Sequence, residues 1–229
     1  MLCDLDGTLL NTMPLWFEAY QDVASEWGRE WTHEDQQLIT GTTMGESAQR
    51  MRSLGVELEV QHISAALTDR MVELLHLGNP PWTVGAEGLL ADLKRTQMPC
   101  ALVTSTDRRV VDAIPRLSEV FDVIVTGGDV KHGKPHPEPY ASAAAKLGVD
   151  TRHCIAIEDT VIGATSARLS GSHVLLVTTR AGNKLPGFDY KNSLLETSVE
   201  SLRQLHTRQH ASGADRPIVE STTTTTTSL

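Results

Sequence analysis

Short, continuous apolar runs alternate with amphipathic segments along this chain, and that alternation restricts it to one architectural class. The runs are residues 1–3, 101–104, 120–125, 154–157 and 174–177. They carry Val, Ile and Leu without interleaved polar residues, the pattern of strands buried on both faces. Between them lie helix-like segments. Residues 87–95 carry Leu89, Leu90 and Leu93 on one side. Residues 109–117 carry Val110, Ala113, Ile114 and Leu117, with Pro115 expected to bend or shorten that helix. Residues 137–147 open on prolines and stop before Gly148, the usual start-and-stop asymmetry. Repeated strand–helix–strand units predict an α/β protein, a three-layer α/β/α, Rossmann-like core around a parallel sheet.

Residues 12–81 read differently. They show helical periodicity and no strand-like run. Leu15, Ala19, Tyr20, Val23 and Trp27 share one face of one helix, and Ile63, Leu67, Met71, Leu74 and Leu75 share a face of another. The expected layout is a core of residues 1–11 and 82–210 with an all-helical cap of residues 12–81 inserted after the first strand. Pro80-Pro81 marks the exit. All four tryptophans lie in the insertion or at its edge. They are read as bulky filler of a small helical core, with an aromatic ligand clamp as the alternative. Residues 211–229 are polar, end on a run of threonines and offer no apolar face, so disorder is expected there.

Composition removes several function classes. A net charge of −9 argues against nucleic acid as partner and against a basic membrane-surface helix. The longest stretch free of Asp, Glu, Lys and Arg is residues 74–86, shorter than the roughly 20 apolar residues a spanning helix needs. Asp4 falls where a leader would be basic and then apolar, so no signal peptide is expected. Cys3, Cys100 and Cys154 are odd in number and embedded in apolar runs. They read as reduced, buried residues of a cytoplasmic protein.

Four motifs carry chemistry. In Asp4-Leu5-Asp6-Gly7-Thr8, two carboxylates at i and i+2 of a strand converge at its carboxyl end, where open α/β sheets bind ligands. Thr104-Ser105, Lys134 in Gly133-Lys134-Pro135, and Glu158-Asp159 each end a predicted strand or lie in a loop beside one. Singly, a Thr-Ser is usually a cap, a loop lysine is usually solvated, and a Glu-Asp pair usually faces water. Together they place a nucleophilic carboxylate, a hydroxyl donor, a fixed cation and a metal-binding acid on one rim.

In this order the motifs Asp4-x-Asp6-Gly-Thr, Thr104-Ser105, Lys134-Pro135 and Glu158-Asp159-Thr160-x-x-Gly163 resemble those of the haloacid dehalogenase superfamily, in the branch with a helical cap after the first strand. The resemblance spans residues 1–206. It implies a Mg²⁺-dependent phosphomonoester hydrolase acting on a small phosphorylated metabolite of the sugar or polyol phosphate class. Asp4 would be the nucleophile that forms an aspartyl-phosphate, and Asp6 the general acid and base. Thr104, the Ser105 amide and Lys134 would hold the phosphoryl group. Asp4, the Asp6 carbonyl and Asp159 would ligate Mg²⁺, and Glu158 would orient Lys134 or a metal-bound water. Relatives usually show a longer apolar lead-in than Met1-Leu2-Cys3, so a short central strand or a start further upstream is expected. Thr160 stands where serine is more usual, and Asn11 where many relatives have Asp.

Within the resemblance, Asp6 argues against the metal-free dehalogenases, and the absence of lysine from residues 12–81 argues against a Schiff-base phosphonatase. A sugar phosphomutase of the β-phosphoglucomutase kind is the rival. Met44, in Thr40-Gly41-Thr42-Thr43-Met44-Gly45-Glu46, stands where a mutase carries a cap arginine, and Trp16 where it carries a hinge histidine. Met44 cannot bind a second phosphate. A catalytically silent phosphate-sensing or partner-binding module is the reading from another class, although no acid and no lysine of the set is missing. Arg108 and Arg109 read as a solvated helix start, or as contacts to an acidic substrate group. His132 and His136 read as loop histidines, since Pro135 and Pro137 forbid a helix that would align them on a metal.

Overall fold

The computed structural model describes residues 1–39, 42–178 and 185–211. Its sheet has six parallel strands: β1 (Leu2–Cys3), β2 (Ala101–Val103), β3 (Val123–Val125), β4 (Ile155–Glu158), β5 (His173–Val177) and β6 (Asp189–Lys191). They are ordered β3-β2-β1-β4-β5-β6. This is the doubly wound order, and its direction reverses at β1, so the crevice lies beyond the ends of β1 and β4. Strand β1 is only two residues long but central. Leu2 packs into the apolar layer on one face and Cys3 into the layer on the other. Burial on both faces is why the strands read as unbroken apolar runs.

Helices α5 (Ala86–Thr96), α6 (Arg108–Asp112), α7 (Pro115–Val120) and α10 (Val199–Ala211) supply one outer layer, through Leu89, Leu93, Val110, Leu117 and Leu202. Helices α8 (Glu138–Lys146) and α9 (Val161–Leu169) supply the other, through Tyr140, Ala143, Ala144, Ala164 and Ala167. Pro115 does more than bend the helix expected at 109–117. It starts a second helix, because its ring cannot continue the first but suits a first turn. The apolar run at 120–125 therefore divides between the end of α7 and the short strand β3.

Four helices follow β1: α1 (Met13–Ser25), α2 (His33–Ile39), α3 (Met44–Ser53) and α4 (Val60–Leu77). Ala19, Tyr20, Val23, Met51, Ile63 and Leu67 form their own core. Trp31 fills it as expected, stacking on Tyr20 at 4.9 Å. Trp27 does not belong to the helix face assigned to it: α1 ends at Ser25, and the indole is 38% exposed. The helical unit joins the sheet through two crossing segments. Leu10 bridges to Trp82, Asn11 N–H donates to the Pro81 carbonyl at 2.8 Å, and Thr83 N–H donates to the Leu9 carbonyl at 2.9 Å. No helix among the described residues is long and apolar enough to cross a membrane. The stretch expected to be a disordered tail begins at Ala211, where α10 ends; residues 212–229 lie outside the described residues, as do Thr40 and Gly41.

Candidate active site

Every sequence-assigned group lies at the carboxyl end of the sheet. Asp4 follows β1 directly, anchored by its N–H to the Ile157 carbonyl of β4 at 3.0 Å. Gly7 then turns the chain with φ at +83°, a conformation glycine adopts without strain. A side chain there would also strike the Asp159 carboxylate, so the turn and the second acid are fitted to each other.

Lys134 is the hub. Its Nζ donates to Asp4 Oδ1 at 2.7 Å, to Glu158 Oε1 at 2.6 Å and to the Val103 carbonyl at 3.0 Å. Its side chain is only 8% exposed. Burial alone would drive a lysine toward the neutral amine, but Asp4 and Glu158 outweigh it and hold the ammonium above the ordinary lysine range. Glu158 also accepts from the Tyr140 hydroxyl at 2.6 Å and closes over Gly163, where any Cβ would collide with its carboxylate. Thr160 caps α9 by accepting from Gly163 N–H at 3.1 Å, so the hydroxyl does the work expected of serine.

One ammonium faces the carboxylates of Asp4, Glu158 and Asp159, and the imbalance shows in the protonation of Asp4 and Asp159. Burial and the Glu158 charge push Asp4 well above the carboxylate range despite Lys134. The same two causes push Asp159 up to about 7. Asp4 Oδ2 is buried with no hydrogen-bond partner among the described residues. Ligand oxygens of Asp4, Glu158 and Asp159 lie within 4.8 Å of one another. An orphaned carboxylate oxygen inside an under-neutralised cluster of hard oxygen donors fits Mg²⁺.

Asp6 is held by four donors. Thr12 Oγ1 (2.7 Å) and Trp16 Nε1 (3.2 Å) reach one oxygen; Thr106 Oγ1 (2.6 Å) and Thr104 Oγ1 (3.3 Å) reach the other. Only Thr104 was assigned to the site from the sequence. Thr12 stands at the N-cap position of α1 with helical backbone angles and makes no cap bond; its hydroxyl donates to Asp6 instead. Trp16, read as core filler, is an acid-binding donor. Ser105 is exposed, and its backbone packs against Gly127. Arg108 and Arg109 are engaged in solvent-accessible ion pairs with Asp129 and Asp69.

A doubly wound sheet with an acidic, lysine-bridged centre at its switch point defines a hydrolase class of α/β protein. Residues 1–177 match the haloacid dehalogenase-like hydrolases, and the chain belongs to that family. It is similar to protein CbbY of Rhodobacter capsulatus, 30% identical over 77% of this chain and 83% of the relative. It is also similar to a phosphorylated carbohydrates phosphatase of Thermotoga maritima, 31% identical over 75% and 81%. The crystal structure of CbbY from Rhodobacter sphaeroides in complex with phosphate superposes with a TM-score of 0.80 at 28% identity. That match covers 88% of this chain and 97% of the other.

Proposed function

We propose that this haloacid dehalogenase-type phosphatase hydrolyses a small phosphorylated carbohydrate through an aspartyl-phosphate on Asp4. The carrying observation is Lys134, buried between Asp4 and Glu158 beside an unpartnered Asp4 oxygen. Asp4 attacks phosphorus, and the bond to the departing alkoxide breaks. Asp6 gives that alkoxide a proton and later takes one from the water that cleaves the acyl-phosphate. The Thr12, Thr104 and Thr106 hydroxyls can each reverse their hydrogen bonds as Asp6 gains and loses that proton. The indole of Trp16 only donates, and so favours the carboxylate form. Thr104, the Ser105 amide and Lys134 hold the phosphoryl oxygens. Glu158, tied to Tyr140, positions Lys134. The Asp4 carboxylate, the Asp6 carbonyl and Asp159 would hold Mg²⁺, which when bound offsets the negative charge of the phosphoryl group.

Residues 1–11 and 82–210 form the catalytic core in this reading. Residues 12–81 form a cap that excludes water and selects the leaving group. The carbohydrate class follows the phosphatase of Thermotoga maritima. Three buried, reduced cysteines suit a cytoplasmic setting. Hydrolysis is favoured over phosphoryl transfer between sugar hydroxyls by Met44, which opens α3 without a charge for a second phosphate, and by Trp16, whose indole is committed to Asp6. The test is phosphate release from a panel of sugar and polyol phosphates, with and without Mg²⁺. Isomerisation on adding a sugar bisphosphate, without net phosphate release, would establish a mutase instead. No metal-dependent release from any substrate, p-nitrophenyl phosphate included, would refute the catalytic reading.

A further inference from the structure

We propose that His132, His136 and Glu138 form a surface site for one divalent transition ion of the imidazole-binding kind, Zn²⁺ or Ni²⁺, separate from the acidic centre. Pro135 and Pro137 keep these residues out of one helix, and the chain brings them together across a turn instead. The His136 N–H donates to the Gly133 carbonyl at 3.0 Å, and the two imidazole rings face each other with centroids 4.6 Å apart. His132 Nδ1 lies 2.8 Å from Glu138 Oε2, and His136 Nδ1 lies 3.9 Å from the same oxygen. Tetrahedral zinc, with bonds of about 2.0–2.1 Å, sets its ligand atoms roughly 3.3 Å apart. The two observed separations bracket that value, and the three ligand atoms lie within 4.8 Å of one another, so rotation of the two imidazoles would complete the set.

The backbone beneath the site is already tied down. Glu138 accepts from the N–H groups of Lys131 (2.8 Å) and His132 (3.1 Å), and the His136 carbonyl accepts from Ser166 Oγ at 2.5 Å. The side chains themselves stay open to solvent, at 52% for His132, 50% for His136 and 32% for Glu138, which leaves room for water as a further ligand. Without an ion, the same atoms satisfy one another. His132 Nδ1 shares a proton with Glu138, and His136 Nδ1 accepts a long 3.2 Å bond from the Glu138 N–H. An ion replaces that shared proton and that long bond. Two imidazoles and a carboxylate suit Zn²⁺, Ni²⁺ or Cu²⁺, whereas Mg²⁺ prefers all-oxygen sites, so the two centres differ in preference. None of the three residues belongs to the phosphoryl site, and the inference stands whether or not the chain is a phosphatase.

Calorimetric titration of the full chain with Zn²⁺, in excess Mg²⁺ to occupy the acidic centre, tests it. The wild type is expected to bind one equivalent that His132→Gln and His136→Gln each weaken more than about tenfold. Acidification should release the ion as the imidazoles protonate. Unchanged zinc stoichiometry and affinity in both variants would overturn the site. A second measurement needs only the wild-type chain: in histidine NMR spectra, the His132 and His136 signals should respond first to Zn²⁺. A first response at other histidines, with these two unmoved, would equally overturn it.

Discussion

Replacing Lys134 with methionine keeps the aliphatic stem and removes the ammonium. The structure sets the scale of the effect. Two charge-assisted hydrogen bonds disappear, to Asp4 and Glu158, together with one to the Val103 carbonyl. Bonds to charged groups contribute about 1.5–3 kcal/mol each. Stripping one partner from a buried ionic set costs about 3–5 kcal/mol, because the remaining charge is left uncompensated. Each kcal/mol shifts the melting temperature of a chain this size by about 2–4 °C, so the expected loss is roughly 6–20 °C. The pH dependence gives the sharper test. Asp4's carboxyl already lies above its usual range, so the native state holds that proton more tightly than the unfolded chain. Without the lysine, Asp4 loses the one charge that lowers it and shifts further upward. Stability of the variant is then greatest at low pH, where Asp4 is protonated, and falls as pH rises through its folded value. Calorimetric melting of wild type and K134M in EDTA, at about pH 5 and about pH 8, should show the larger gap at the higher pH. An equal gap at both, or none, would refute the idea that Lys134 offsets buried negative charge.

Trp16→Phe keeps the ring but loses the donor to Asp6, and should slow turnover of an alkyl phosphate up to about tenfold. The effect on p-nitrophenyl phosphate, whose leaving group needs no proton, should be smaller; equal losses would count against a role on the acid. Asp4→Asn should abolish turnover, and should raise the metal-free melting temperature at alkaline pH, because the amide carries no charge for Glu158 and Asp159 to repel. Mg²⁺ should stabilise the chain less below about pH 7, where it must displace the proton on Asp159; a metal-induced melting shift that is flat with pH would contradict this. Gly163→Ala should drive Glu158 away from Lys134, lowering activity and stability together, and intact activity would show that Glu158 does not position the lysine.

Much of the architecture was legible because burial writes itself into composition. Strands β1, β2, β4 and β5 are covered on both faces, so they appear as apolar runs with boundaries displaced by a residue at most. Strand β6, Asp-Tyr-Lys at the sheet edge, is only partly buried and carried no such signal. The broken helix at Pro115 was legible as a disturbance but not as two helices. The choice between bending and restarting depends on whether Leu117 finds the core, which local sequence does not record.

The chemistry divides the same way. Asp4, Asp6, Thr104, Lys134, Glu158 and Asp159 stand at strand ends or in the loops beyond them, so chain pattern alone determined that they share one rim of the sheet. The partners of Asp6 were decided by the tertiary structure. Thr12 and Trp16 reach it from the start of α1, because the segments at Leu9–Asn11 and Pro81–Thr83 set the helical unit over the end of β1, and Thr106 reaches it from the loop after the neighbouring strand β2. A tryptophan on an apolar helix face has the same local signature whether its indole N–H is buried against a carboxylate or left in water. Only the packing of segments distant in sequence separates the two, since hydrogen-bond direction is a property of the assembled site and not of the residue.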